Sequence, residues 1–180
     1  MYLSQTMKNI LVILSVALLA GCATPAAVEQ MSVSLPITQT NSALKNSVGV
    51  KEVTGGRETN PMWTSQVSSD AFRRALEQSL ENAGMFSKIV AGSKYQLTAD
   101  LTRLDQPMMG FDMTVTSTVR YSLIETQTRK EVYAKVIQIS YTAKMSDAFV
   151  GTQRLKLANE GAVKANIQGL INDLIALKLP

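Results

Sequence analysis

Alternation of apolar and polar residues dominates the second half of the chain. Between Phe111 and Leu123 every second residue is apolar or small, and the same period of two recurs over Tyr95 to Thr102 and Glu131 to Thr142. Successive side chains of a strand point to opposite faces, so this pattern predicts three strands, each with one buried face. A shorter strand is predicted over Val48 to Val53. Near Lys135 the alternation changes face, which predicts a β-bulge there.

Two segments carry apolar residues at helical spacing. The first lies between Thr64 and Ala83 and ends before Gly84, and the second covers Thr152 to Leu177 with a wide apolar stripe. The order β-α-β-β-β-α, with strands that are apolar on one face only, predicts an α+β fold. We expect a two-layer sandwich in which a mostly antiparallel sheet carries both helices on one face.

The start of the chain follows a different pattern. One positive charge, Lys8, precedes an apolar run of eleven residues from Ile10 to Ala20, and Gly21 and Cys22 follow. A membrane-spanning helix needs about 20 consecutive apolar residues, so this run predicts an export signal peptide over residues 1–21. Either Met1 or Met7 can be the true start.

The sequence Leu19-Ala20-Gly21-Cys22 resembles the signature of bacterial lipoproteins. The resemblance implies that the leader is removed and that Cys22 becomes the acylated first residue, carrying palmitate-type chains. Two or more acyl chains anchor a protein stably in a membrane. Ala23 stands where retention in the inner membrane usually requires Asp, which implies the outer membrane, facing the periplasm.

Removal of 21 of the 180 residues leaves 159, enough for one domain. Residues 22–45 are rich in Ala, Ser, Thr, Asn and Pro and predict a flexible tether, with a single periplasmic domain over residues 46–180. Within the tether, Met31 to Leu35 alternates and is a candidate edge strand. Cys22 is the only cysteine, so no disulfide is expected. The formal charge of +4 is scattered, and we expect no nucleic-acid partner.

Candidate chemistry is sparse. The sequence has no histidine, which removes histidine-based metal sites and Ser-His-Asp triads. Asp100, Asp105 and Asp112 lie on or beside neighbouring strands, and we interpret them as solvated positions rather than as the carboxylate pair of a hydrolase. We therefore predict no catalytic residue, no metal site and no cofactor.

Two features are candidates for recognition. Met108, Met109 and Phe111 lie at a hairpin tip, where we favour packing under the adjacent helix over contact with a lipid or protein partner through adaptable methionines. A row of threonines gives one sheet face with little apolar area. We favour a solvated surface there over an edge for a partner strand; the row comprises Thr98, Thr102, Thr114, Thr116 and Thr118.

The element order, the helix exit at Leu80 to Phe86 and the hairpin from Tyr121 to Tyr133 resemble families of small proteobacterial lipoproteins. These families are the YajG-like lipoproteins, the lipopolysaccharide-assembly lipoproteins and the auxiliary lipoproteins of ABC-type transporters. The resemblance implies a non-enzymatic accessory protein with an envelope protein partner. Two alternatives stay open: a lipid- or small-amphiphile-binding lipoprotein, with the ligand around Phe111 and Met113, and a carboxylate-based hydrolase. The oligomeric state stays open as well.

Overall fold

The computed structural model describes residues 22–34, 41–62 and 64–179, so the predicted signal peptide lies outside the described residues. Single turns of 3₁₀ helix lie at Ser42–Leu44 and Val90–Gly92. The remaining helices and strands are α1 (Val28–Met31), β1 (Val48–Thr54), α2 (Ser69–Asn82), β2 (Tyr95–Asp105), β3 (Met113–Glu125), β4 (Glu131–Ala143) and α3 (Gly151–Ala176).

The four strands form one sheet in the order β1-β2-β3-β4. β1 pairs with β2 in parallel, because α2 carries the chain back between them, and the two other pairs are antiparallel. The sheet is therefore mixed, and the predicted α+β architecture with a mostly antiparallel sheet is confirmed.

The core lies between the sheet and its helices. α2 begins where the Ser68 side chain accepts a hydrogen bond from the backbone N–H of Ala71 (3.2 Å), and it is followed by Gly84, whose φ is +69°. The strands contribute apolar residues from alternate positions to one buried apolar cluster, and the helices contribute the residues of their apolar stripes. Its fully buried members include Phe72, Leu76, Leu80, Leu97, Val119, Tyr121, Leu123, Ile167, Leu170 and Leu174.

The opposite sheet face is polar. Hydroxyl groups pair across β3 and β4 at Thr114 with Thr142 (2.8 Å) and at Thr116 with Ser140 (2.7 Å). β3 is an interior strand, so the alternative that this threonine row offers an edge for a partner strand is wrong for β3.

The bulge predicted near Lys135 is wrong, and the irregularity lies at Val132. The pairing passes from Leu123 opposite Tyr133 to Ile124 opposite Glu131, so that Val132 is the extra residue. Lys135 stays on the helix-facing side, where its ammonium group lies 2.8 Å from a carboxylate oxygen of Asp173 in α3. Because a charged residue lies on the inner face of this edge strand, the sequence pattern wrongly indicated a change of face.

The segment expected to be a flexible tether packs against the domain wherever the structure describes it. The Ala27 N–H donates to Glu160 Oε1 (2.8 Å), the Val33 N–H donates to Ser79 Oγ (2.9 Å), and Met31 is fully buried. The candidate edge strand from Met31 to Leu35 is also wrong over Met31 to Ser34, since Met31 ends α1 and residues 32–34 form no strand, and Leu35 lies outside the described residues. Apolar side chains in a polar stretch anchor it to α2 and α3, and periodicity does not show this because the stretch is too short.

Candidate functional site at the Cys22 end of the domain

Several chain segments meet at one end of the sheet. β1 and β2 end there, β3 and α3 begin there, and β4 ends there, because β1 and β2 run parallel and the later strands alternate in direction. The connections from β1 to α2, from β2 to β3 and from β4 to α3 therefore lie together. This end also holds Cys22.

Cys22 is exposed, and the chain is held by the domain from the next residue onward. The Ala23 N–H donates to the carbonyl oxygen of Pro61 (2.9 Å), and the Ala26 N–H donates to that of Gln66 (3.2 Å). Ala23 is only 4% exposed. Adjacent Cα atoms are 3.8 Å apart, so Cys22 lies one residue from the packed domain.

Buried polar side chains tie this N-terminal segment to the β2–β3 connection. Ser65 Oγ donates to the carbonyl oxygen of Thr24 (2.7 Å), and the Gln106 side-chain amide donates to the carbonyl oxygen of Ser65 (2.9 Å) and to Asn159 Oδ1 (2.7 Å). Asn159 in turn donates to the carbonyl oxygen of Ser65 (2.9 Å), and the side chains of Asn159 and Ser65 are fully buried. Gln106 is the residue before Pro107, so the hairpin tip has a fixed position relative to Thr24.

Arg154, in the first turn of α3, joins the β2–β3 and β4–α3 connections. Its guanidinium donates to the carbonyl oxygens of Ala148 (2.5 Å), Phe149 (3.1 Å) and Gly110 (3.1 Å), although the residue is only 6% exposed. No carboxylate lies within 4.0 Å of it among residues 22–34, 41–62 and 64–179. The planar, charged guanidinium group instead donates hydrogen bonds to backbone carbonyl oxygens of both connections.

Large apolar side chains project from these connections into solvent. Met108 is 99% exposed, Met109 83% and Phe111 81%, so the favoured prediction that they pack under the adjacent helix is wrong. A groove of about 360 Å³ lies between residues 107–110 and the start of α3, and Met113 and Leu155, which belong to a second, smaller apolar cluster, also line it. The ligand position expected around Phe111 and Met113 is met only in part, because Met113 lines this groove whereas Phe111 is exposed and is not among the lining residues.

Two further exposed residues, missed in the sequence, belong to the same end. Met62 (82% exposed) follows Pro61, whose carbonyl oxygen accepts the hydrogen bond from the Ala23 N–H. Phe149 is 84% exposed, and its carbonyl oxygen accepts a hydrogen bond from Arg154. Both stand in short irregular stretches without periodicity. We call Met62, Met108, Met109, Phe111 and Phe149 the anchor-end surface.

The candidate carboxylates have separate partners. Asp100 accepts from Thr54 Oγ1 (2.9 Å), Asp105 pairs with Arg103 (2.7 Å), and Asp112 accepts from the Met145 N–H (3.0 Å). Asp100 and Asp105 are also five residues apart on one strand, about 16 Å. The structure does not bring the three together as a catalytic pair would require.

Within the described chain, no group of three or more Asp, Glu, Cys or His side chains is placed to hold a metal ion. None of the helices in that part of the chain is long and apolar enough to cross a membrane.

Glu160 is the most deeply buried carboxylate of α3. It is 3% exposed and accepts the Ala27 N–H (2.8 Å), and Lys156 lies 3.8 Å away. Burial raises the pKa of Glu160 above its ordinary value, against the opposing effects of the Ala27 N–H and of Lys156. Its role is structural, because it fastens the N-terminal segment to α3.

Neither a protein-family model nor a curated protein sequence matches the chain. The fold is similar to that of a Xanthomonas campestris protein with the family label DUF330, at 14% identity over 86% of this chain and 96% of that chain, with a TM-score of 0.57. It is also similar to the PelC dodecamer subunit from Paraburkholderia phytofirmans (13% identity, 82% and 94%, TM-score 0.51). A minor lipoprotein from Acinetobacter baumannii aligns with a TM-score of 0.48 (9% identity, 76% and 98%).

At these identities the first two likenesses show the fold alone, and the third falls below the score at which a common fold can be argued. The fold is therefore one that solved bacterial proteins share. The particular lipoprotein families named from the sequence stay predictions.

Proposed function

We propose that this protein is a lipoprotein that is exported, acylated on Cys22 and anchored in the outer membrane, with its α+β domain in the periplasm. The observation that carries the proposal is the position of Cys22. The sole cysteine ends the Leu19-Ala20-Gly21-Cys22 sequence that resembles the lipoprotein signature, is exposed, and directly precedes the first packed residue of the domain. A cleaved and acylated Cys22 therefore leaves the whole described fold intact.

Metabolic labelling with palmitate tests the anchor. We expect the wild type to incorporate label, the Cys22→Ser variant to remain unlabelled, and globomycin, an inhibitor of the lipoprotein signal peptidase, to make the precursor accumulate. Sucrose-gradient separation of the membranes should place the labelled protein in the outer-membrane fraction. An unlabelled wild type would contradict the proposal, and label in the inner-membrane fraction would contradict the assigned membrane only.

We further propose that the domain is a non-enzymatic accessory that binds another envelope protein. Support comes from the separate partners of Asp100, Asp105 and Asp112 and from a well-packed domain with a polar, solvated sheet face. Crosslinking in cells followed by affinity capture of the wild type, compared with Cys22→Ala, tests this role. We expect an envelope protein to be captured with the anchored form, and capture of none with either form would contradict the role.

A second candidate, binding of a lipid or small amphiphile, is favoured by a larger groove than the one that Met113 lines. A groove of about 480 Å³ lies between the end of β4 and α3, within the size range of small-molecule sites. Its wall includes Tyr141, whose ring lies against Gly161, and Leu157. Native mass spectrometry after gentle extraction separates the two functions, because a carrier retains bound mass and an accessory protein does not.

A further inference from the structure

We propose that the anchor-end surface rests on the bilayer that holds the acyl chains of Cys22, so that lipid covers these side chains. The inference rests on the proposed acylation of Cys22 and goes beyond it. An anchor alone leaves the orientation of a domain open, whereas this surface determines which end of the domain faces the membrane and which faces the periplasm.

The first argument is the lack of slack between the anchor and the domain. The thioether and the N-acyl group of Cys22 must lie at the level of the lipid headgroups, because their chains enter the hydrocarbon. Ala23, one residue on, is 4% exposed and bonded to Pro61. Adjacent Cα atoms are 3.8 Å apart, so this end of the domain is held at the headgroups rather than lifted away from them.

The second argument is that the connections carrying the exposed apolar side chains are hydrogen-bonded to the N-terminal segment or to one another. Met62 follows Pro61, and Met108 is two residues beyond Gln106, which is bonded to Ser65 and through it to Thr24. The Arg154 guanidinium then holds Gly110 and Phe149 together. Hydrogen bonds thus tie the N-terminal segment to Pro61 beside Met62 and, through Ser65, to Gln106, and Arg154 separately joins the β2–β3 and β4–α3 connections.

The third argument is the contrast with the rest of the molecule. Ile89 is 71% exposed but lies at the opposite end of the sheet, before β2 begins, and Val136 is 53% exposed on the polar face. Single exposed apolar residues are ordinary, whereas several projecting from adjoining connections mark an interaction surface. Met and Phe side chains suit a lipid surface, since they enter the headgroup region without a polar group that must be satisfied.

Quenching of tryptophan by brominated acyl chains tests the proposal on the full acylated protein in vesicles of phosphatidylethanolamine and phosphatidylglycerol. Trp63 is the only tryptophan, so each test variant also carries Trp63→Phe. Phe111→Trp and Phe149→Trp report on the surface. Ile89→Trp is the matched control, an equally exposed apolar position separated from the surface by the length of β2, about 33 Å.

We expect the emission of Phe111→Trp and Phe149→Trp to be blue-shifted and quenched several-fold more than that of Ile89→Trp. Equal quenching at the three positions would overturn the proposal. A blue-shifted emission without quenching would also overturn it, because protein, either a partner or a second copy, would then cover the surface. If Trp63→Phe prevents folding, the same substitutions are made with Trp63 retained and quenching is measured as the increase over wild type.

Palmitate labelling of the same samples separates the two possible failures. A chain without label would refute the proposed function, since no anchor would exist. A labelled chain whose Phe111→Trp emission is no more quenched than that of Ile89→Trp would refute the inference alone and leave the anchor in place.

Discussion

Replacement of Asn166 by alanine should weaken the attachment of α3 to the sheet. The fully buried Asn166 side chain accepts a hydrogen bond from the Tyr121 hydroxyl (3.0 Å) and donates to the carbonyl oxygens of Ser117 (3.2 Å) and Ile137 (2.9 Å). It thereby joins one turn of α3 to both β3 and β4. Alanine would remove every one of these bonds at once.

The magnitude follows from the groups that lose their partner. Tyr121 is fully buried, and a buried hydroxyl without a partner costs about 1–3 kcal/mol. The carbonyl oxygens of Ser117 and Ile137 lose one donor each. Ser117 Oγ keeps a bond to the carbonyl oxygen of Ala162 (2.9 Å). We expect the free energy of unfolding to fall by about 2–4 kcal/mol, a large part of the roughly 5–15 kcal/mol of a typical domain.

Urea unfolding followed by circular dichroism measures this loss. Asn172→Ala is the matched control, because Asn172 lies on the exposed side of the same helix and accepts only from Gln168 (2.8 Å), so its change should stay within about 0.5 kcal/mol. In a double-mutant cycle with Tyr121→Phe, we expect a coupling energy of about 1 kcal/mol or more. A loss for Asn166→Ala no greater than that of the control would refute the reasoning.

Three further changes test other parts of the structure. Gly55→Ala should destabilise the domain, because Gly55 has φ +81° and its new Cβ would lie 2.2 Å from a backbone oxygen of β2, whereas Gly92→Ala, with 3.3 Å to a side chain, should be nearly neutral in the same urea assay. Arg154→Lys should make the β2–β3 and β4–α3 connections more susceptible to limited proteolysis, as an ammonium group cannot bridge both connections; an unchanged cleavage pattern would contradict this. Because burial raises the pKa of Glu160 above 4.5, the native state binds this proton more tightly than the unfolded state, so stability should fall as the pH rises from 4.5 through the folded pKa. Glu160→Gln should abolish that part of the pH dependence in thermal unfolding measured across this range, and an unaltered profile would exclude Glu160 as its source.

Much of the fold could be predicted from the sequence, because strand and helix periods are properties of single segments. The alternation in β2 and β3 and the stripe of α2 reflect one solvated and one buried face, and that local difference is written in the order of residues. The parallel pairing of β1 with β2 stayed open in the sequence, since a helix between two strands permits such a pair but does not require it.

Positions whose surroundings come from distant parts of the chain could not be predicted. Lys135 on the inner face of an edge strand was taken for a change of register, because its partner Asp173 is distant in sequence. Asn159 and Asn166 lie buried in α3 although they are polar, since their partners belong to loops and strands. The sequence shows which residues are polar, but not which distant groups will form hydrogen bonds with them once they are buried.

The candidate site divides in the same way. The lipoprotein signature that ends at Cys22 consists of consecutive residues, which an export system recognises in an extended chain. The sequence alone was therefore enough to predict the anchor. The apolar character of Met108, Met109 and Phe111 was equally visible, but their exposure was not, because it depends on how the β2–β3 connection lies relative to the start of α3. Only the tertiary structure brought Met62 and Phe149 to the same end, packed Met31 of the expected tether against the domain, and set Cys22 beside an apolar surface, since hydrogen bonds between distant segments decide those positions.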